Sequence, residues 1–465
     1  MTATAPSRIL DGQGDELGPI ATFGCQVFVV AGLILGFQVL GLGLVPLLGS
    51  VALLVGLLGA LILAPRLVIE RIPVSLLAVA LLGLMACSVL WTDSPDNTSF
   101  LLTRDLPLAF GMPLAAGVLS MKRLVPALLL AVRLSVIITG ISIALLPEAR
   151  IHIDETGASD DLPGWHGLFP HKNTMAPYLI FGLVTILTFD RSRLPKWSFV
   201  VAIFVILVGS QSVTGLSGVM LALSVWVWLQ LYQNLDLRGS SVFLVTSASV
   251  AVFTGLAVLA SLATLTSASG RDVTLTGRTY IWSAAFDFWS QRPWLGWGYG
   301  GIFSTEPLTP ATAAIWRSIG FEVPHAHNGV LDVGIQLGIV GLVVFGLLFA
   351  TTLVDAFRVI RDRAKLGAWI VSVMVVQIYM SFSEPVFLGS GWLLVLLLFR
   401  TLLFRRHGME LETGSTLADR VRFRDWSLDG RGLARSGAGA GRRSTPERGH
   451  YHQPRVNPDR SPLRN

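Results

Sequence analysis

The sequence predicts an all-α, polytopic integral membrane protein with about twelve transmembrane helices, and three observations predict it. Apolar residues make up 52% of the chain and charged residues only 14%, far from the balance of a soluble domain. The apolar residues gather into long blocks, such as 44–63, 125–146, 242–265 and 330–353, each reaching the ~20 residues that a helix needs to cross a bilayer core. Between the blocks, the basic residues of the short connections fall in alternate connections, as the positive-inside rule requires of a chain that weaves through a membrane.

The elements follow in order. The polar stretch to Gly18 contains acidic residues, and the apolar block after it is too long and too poorly followed by a cleavage site for a signal peptide, so the first helix is expected to be retained. Spans are expected near 19–42, 44–64, 73–91, 105–120, 124–146, 173–189, 197–211, 214–232, 242–266, 329–353, 366–383 and 389–404. Arg66 and Arg71, Lys122 and Arg123, Arg191, Arg193 and Lys196, Arg238, and Arg358, Arg361, Arg363 and Lys365 then share one side, the cytoplasmic one. Both termini lie inside, and connections 92–104, 147–172, 267–328 and 384–388 face out. Trp91, Trp165, Trp289, Trp294 and Trp297 lie near outer span ends, where an interfacial belt would put them. Cys25 and Cys87 fall inside apolar blocks and read as packing residues, so they carry no redox information.

Residues 1–404 thus form a membrane-embedded domain and 405–465 a basic tail. The tail has thirteen Arg against seven acidic residues, an excess equal to the whole chain's net charge of +6. Its Gly, Ser, Pro and Arg content cannot bury a core, so it is expected to be disordered and to lie against anionic headgroups. No base-stacking pattern accompanies the charge, which argues against nucleic acid. No repeat of the inverted-transporter kind is recognisable.

Five histidines precede the tail, and all five lie in the two longest outer connections: His152, His166 and His171 in the first, His325 and His327 in the second. Four crossings separate those connections, so both return to one face and can build one extracytoplasmic site. The first connection ends in His166-Gly167-Leu168-Phe169-Pro170-His171-Lys172-Asn173, three polar side chains in succession where a span begins. A helix start favours an anion there; alternatively Asn173 only caps the helix and Lys172 snorkels.

In the second connection, Ile281, Trp282, Ala285, Phe286 and Trp289 share one face at helical spacing, predicting an interfacial helix that Arg278 begins and Pro293 ends. A guanidinium there offers paired planar donors to a phosphate at headgroup depth, or simply anchors the helix. Gly296-Trp297-Gly298-Tyr299-Gly300-Gly301 lacks the Lys-Ser or Lys-Thr ending of a phosphate loop and reads as a tight turn around interfacial aromatics. His325-Ala326-His327-Asn328 then puts titratable groups where the loop re-enters an apolar helix containing Gly338 and Gly341. Such border groups usually serve function, although both glycines also suit close helix packing.

Taken together, Gly167 to Asn173, Thr276 to Trp282 with Pro293, Gly296 and Gly298, and His327-Asn328 with Gly338 and Gly341 resemble the O-antigen ligase and polysaccharide polymerase superfamily over about residues 160–345. The His-Lys-Asn element resembles its exopolysaccharide polymerase branch. The resemblance implies metal-independent, inverting glycosyl transfer at the periplasmic face of a bacterial cytoplasmic membrane, without a cofactor. The donor would be a sugar chain on undecaprenyl diphosphate and the acceptor a glycan hydroxyl. It implies catalytic roles for His327 and Arg278; beside them, Lys172, Asn173, His171, His166, Arg271, Asn328 and His325 are expected from their own chemistry and placement to contact substrate. The family's first-loop arginine has no clear counterpart, His166 and Lys172 occupying its neighbourhood, and Leu342 stands where a Thr often follows the second glycine. A flippase and a chain-length regulator are the implied partners beside the bilayer itself.

Rival readings stay open at this point. A ligase passing polymer to a lipid A core would use the same donor and residues. A transporter would normally carry charges or broken helices at mid-membrane, where this chain has few charges. A metal site on His325 and His327, with an acidic partner such as Glu322, lacks a recognisable ligand spacing.

Overall fold

The computed structural model describes residues 17–38, 45–62, 75–152, 162–234, 247, 273–304, 308–360 and 362–404. Apart from residue 247, the expected span 242–266 lies outside them, as do Arg271 and the basic tail. Two compact units divide the chain, Met1–Arg406 and His407–Asn465, and the second falls wholly outside the described residues.

Regular structure among the described residues is helical except for a two-residue antiparallel pair, β1 (Ile151–His152) with β2 (Leu162–Pro163). The helices are α1 (Pro19–Gly36), α2 (Val45–Ile62), α3 (Leu76–Cys87), α4 (Pro95–Val118), α5 (Met121–Leu145), α6 (Lys172–Phe189) and α7 (Leu194–Gly209). They continue as α8 (Val213–Asn234), α9 (Val273–Gln291), α10 (Pro310–Ile319), α11 (Gly329–Val359), α12 (Ala364–Met380) and α13 (Ser390–Phe404). Among the described residues, four stretches are long and apolar enough to cross a membrane: Pro19–Gly36, Met121–Leu145, Val213–Tyr232 and Gly329–Val359. Shorter apolar helices accompany them, among them Leu194–Gly209 and Ala364–Met380.

These helices are apolar all round rather than along one stripe, as segments bathed in lipid must be. Ile20, Phe23, Leu58, Leu130, Ile137 and Val205 are exposed on the outside. The inside is largely apolar too, and several of its polar groups are paired. Ser135 shares a 2.9 Å hydrogen bond with the Tyr178 hydroxyl, and the Trp369 indole donates to Thr185 Oγ1 at 2.9 Å. An apolar interior leaves no water for such groups, so pairing offsets their desolvation.

Two helix starts differ most from the sequence reading. The helix expected from 105 starts at Pro95, where proline presets φ for the first turn and Asp96 meets the positive helix end. The interfacial helix expected to begin at Arg278 begins at Val273, which moves Arg278 into the second turn.

A smaller core separate from the main one gathers Ile281, Ala285, Trp297, Ile302, Ile315, Trp316, Val323, Ala326 and Ile335. It joins α9, α10 and the turn after α9 to the start of α11. Trp297 belongs to this core at 7% exposure, not to an exposed belt, whereas Trp294 is exposed. The turn is pinned on its other side as well. The Tyr299 amide donates to Ser88 Oγ at 2.9 Å, its hydroxyl donates to Asp105 Oδ2 at 2.7 Å, and Arg292 pairs with Asp93 at 2.8 Å. Burial first, and the Asp105 carboxylate second, push the Tyr299 hydroxyl well above its ordinary pKa, so it stays a donor.

α11 is broken at Gly338, with φ +65° and ψ −165°, a combination open essentially to glycine. The groups freed by the break are taken up by the turn. Ile339 N donates to Pro293 O at 2.8 Å and Val340 N to Trp294 O at 3.2 Å, while Trp297 N and Gly298 N donate to Ile335 O and Gln336 O at 2.8 and 2.9 Å. A broken helix in an apolar setting survives only with such replacements. Gly296 is small for the same reason, since a Cβ there would lie 2.6 Å from the Gln336 carbonyl carbon.

Candidate functional site

Several helix starts meet at the site, and each is shaped by residues that the sequence marks. At α6, His171 is the N-cap: its Nδ1 accepts the Asn173 amide at 3.0 Å, and Lys172 opens the helix beside it. The cap therefore belongs to His171 rather than Asn173, whose side chain is released for other contacts. Its Oδ1 accepts from Ser212 Oγ at 3.0 Å, and Ser212 also accepts the Gly215 amide at 3.1 Å, which caps the start of α8.

At α11, Asn328 is the cap. Its Oδ1 accepts from Val330 N and Leu331 N at 3.0 and 3.1 Å, so the side chain expected to contact substrate spends its oxygen on the helix. The preceding His327 is buried and has φ +47°, a left-handed conformation uncommon outside glycine and characteristic of functional turns. The reversal brings the two imidazoles together. Their ring centroids are 4.1 Å apart, and His325 Nδ1 accepts the His327 amide at 3.3 Å.

The group that joins these starts is Glu384, in the turn after α12. Its carboxylate is 7% exposed. Oε1 accepts from Asn173 Nδ2 at 2.8 Å and lies 3.8 Å from Arg278 Nη2. One ring nitrogen each of His325 and His327 and a Glu384 oxygen all lie within 4.8 Å of one another. The turn is tied to α11 by the bond from Gly329 N to Ser381 O, 2.7 Å. Thus α6, α8, α9, the start of α11 and the turn after α12 each contribute one edge of a single centre.

The electrostatics favour an anion. Arg278, two imidazoles and the positive ends of helices surround one buried carboxylate, and unsatisfied amides at helix starts attract negative charge. His325, His327 and Glu384 are also the described residues that could gather round a cation. Glu384, not the exposed Glu322, is the acidic member of that set. Against a cation stand the Asn173 amide, which donates an N–H to Oε1, and the Arg278 guanidinium, which brings positive charge toward the same oxygen.

Of the residues singled out in the sequence, Asn173, Arg278, His325 and His327 come together around Glu384, and His171 and Lys172 stand at the start of α6. His166 is held in its own connection, one ring nitrogen 2.8 Å from Phe169 O and the other 3.0 Å from Glu148 O. Arg271 lies outside the described residues. Sequence reasoning missed Glu384, Ser212 and Asp332. Asp332 is buried in the first turn of α11, accepts from Gln336 Nε2 at 2.7 Å, and through Gln336 Oε1 reaches the Gly300 amide at 2.9 Å. The signal for Glu384 was present in Ser381-Phe382-Ser383-Glu384-Pro385, an acid at the border of two apolar blocks, the same signal that marked His327.

Fold and site define a helical membrane protein with a buried Arg–Glu–His centre built on helix starts. Residues 198–346 match the family model described as O-antigen ligase. This match supports the O-antigen ligase and polymerase superfamily and an activity of that type on lipid-linked glycans. It covers the Thr276 to Trp282 segment and His327-Asn328 with Gly338 and Gly341, but not Gly167 to Asn173. A comparison with curated proteins gives no significant match.

Proposed function

We propose that this protein polymerises undecaprenyl-diphosphate-linked oligosaccharide repeat units into an exopolysaccharide or O-antigen-like chain, at the outer face of the cytoplasmic membrane. In this reading about twelve spans cross the membrane and both termini lie inside. The observation that carries it is the proximity of Arg278 to the His325–His327 pair across Glu384, with Arg278 3.8 Å from the carboxylate and the ring nitrogens within 4.8 Å of it. A diphosphate donor needs a cationic seat for its leaving group and a base for the attacking hydroxyl, and those are the two kinds of group assembled here.

The step is an inverting displacement. The acceptor hydroxyl oxygen bonds to the anomeric carbon, the bond from that carbon to the diphosphate oxygen breaks, and His327 takes the hydroxyl proton. Arg278 and Lys172 offset the charge that develops on the departing diphosphate. A well-placed general base contributes roughly a hundred- to ten-thousandfold. The diphosphate is an adequate leaving group once its charge is matched, so the reaction is metal-independent in this proposal.

The description of the matching family supports a second reading, a ligase that passes finished polymer to a lipid A core with the same donor chemistry. The test is purified protein in lipid with undecaprenyl-diphosphate repeat unit alone, in chelator. High-molecular-weight polymer is expected. Product only when a lipid A core acceptor is added would favour the ligase, and loss in chelator with recovery on adding a divalent ion would overturn the metal-free step.

A further inference from the structure

Glu384 sits oddly in a site meant for a diphosphate. A carboxylate buried to 7% exposure beside the guanidinium that should hold the donor repels that donor by the same Coulomb law that binds it to Arg278. Burying the charge is itself unfavourable unless it is matched, so its presence calls for a use. Three distances limit what that use can be. Asn173 Nδ2 fixes Oε1 with a 2.8 Å hydrogen bond, which anchors the carboxylate to the start of α6. Arg278 Nη2 stands 3.8 Å away, beyond the 2.7–2.9 Å of a charge-assisted hydrogen bond, so the arginine is aimed without being clamped. The imidazole nitrogens complete the set within 4.8 Å.

We propose that Glu384 is a positioning residue that fills the anion seat of the donor-free site. Its carboxylate holds Arg278 and His327 toward one point, gives up Arg278 to the incoming diphosphate, and then faces the imidazole as the proton arrives there. The proposal rests on the glycosyl-transfer reading for the identity of the anion, but not for the seat itself. It explains why the Arg278 pair is long, why Asn173 rather than Arg278 carries the hydrogen bond, and why a carboxylate lies against two histidines among helix starts.

The charge makes opposite demands on binding and on turnover, which gives a signature that a merely structural residue lacks. Glu384→Gln keeps the shape and the acceptor for Asn173 but removes the charge. Binding of inorganic pyrophosphate to protein in phosphatidylglycerol–phosphatidylethanolamine nanodiscs, measured calorimetrically, should tighten about tenfold or more, a like charge near a site being worth at least one such step. The gain should vanish in the Arg278→Ala background. In the polymerisation assay the donor KM should fall together with kcat, the latter by roughly ten- to a hundredfold, and Glu384→Asp should recover part of kcat.

Equal pyrophosphate binding by wild type and Glu384→Gln, including binding by neither, overturns the inference. So does a pyrophosphate gain that survives Arg278→Ala, or binding of a divalent ion by the wild type that Glu384→Gln abolishes. Tightened pyrophosphate binding without any polymer formed by the wild type would instead count against the proposed reaction and leave the anion seat standing.

Discussion

His327 carries the tightest local constraint of the centre. Its φ of +47° turns the chain so that its ring meets His325, and a residue other than glycine held there costs about 1–2 kcal/mol. His327→Ala should therefore abolish polymer formation while the protein still inserts, because folding loses little and the base is gone. Polymer measured at matched membrane levels checks this, and His327→Gln, which keeps a polar side chain of similar reach, should be equally dead. Arg278→Ala should lower activity about a hundredfold or more, the order of a lost oxyanion donor. Arg278→Lys should recover only part of it, since an ammonium lacks the planar fork. Full rescue by lysine would reduce the site to a generic positive charge. Much of this centre was legible in the sequence, because Asn173, His325 and His327 are polar groups at or near the borders of apolar blocks and Arg278 precedes an amphipathic aromatic segment. Glu384 was not read, since its connection is so short that it passes for a plain turn, and its importance arises only from where α12 ends in space. The cap assignments at His171 and Asn328 were equally hidden, because a side chain's choice between capping a helix and facing a substrate depends on neighbours far along the chain.

At the scale of elements, the informative feature is the pairing between the break in α11 and the turn after α9. The sequence allowed Gly338 and Gly341 to be packing glycines. Gly338 instead has a backbone that only glycine readily adopts, and a Cβ on it would lie 2.2 Å from the Trp294 carbonyl oxygen. Gly338→Ala should cost about 1–3 kcal/mol from its backbone alone and more from that collision. The expected result is a lower melting temperature of the detergent-solubilised protein and reduced activity. Gly346→Ala, in the same helix with open space around its Cβ position, should leave both unchanged. Equal melting of the two variants would mean that the turn is not locked into the break. The long spans were legible from block length, whereas the break was not: its signature is a hydrogen-bond exchange with residues some forty positions earlier, which no local periodicity records. The early start of α4 was readable in part, from Ser94-Pro95-Asp96, but the apolar block alone set the expected boundary.

For the whole molecule, the proposed reaction demands that connections 147–172 and 267–328 open on the same side. In a Cys25→Ser, Cys87→Ser background, single cysteines at the exposed Glu148 and Glu322 should react with a membrane-impermeant maleimide on intact cells. A cysteine at the exposed Arg191 should react only after permeabilisation. Labelling of the 148 and 322 positions from opposite sides would dismantle the shared site. The orientation expected from the basic connections is what this labelling tests, an expectation that rests on charge asymmetry rather than on span boundaries.

The break at Gly338 also sets a height. An unbroken helix from Gly329 to Val359 would be about 46 Å long at 1.5 Å per residue, well beyond the roughly 30 Å of hydrocarbon that a spanning helix crosses. From Ile339 onward the same helix measures about 31 Å, a match to that thickness. The first nine residues, and the histidines before them, are thus freed from the direction that the span must keep. In the proposed reaction this lets the reacting groups stay level with the point where a polyisoprenyl diphosphate leaves the bilayer, so the growing chain is joined without pulling its lipid out of the membrane.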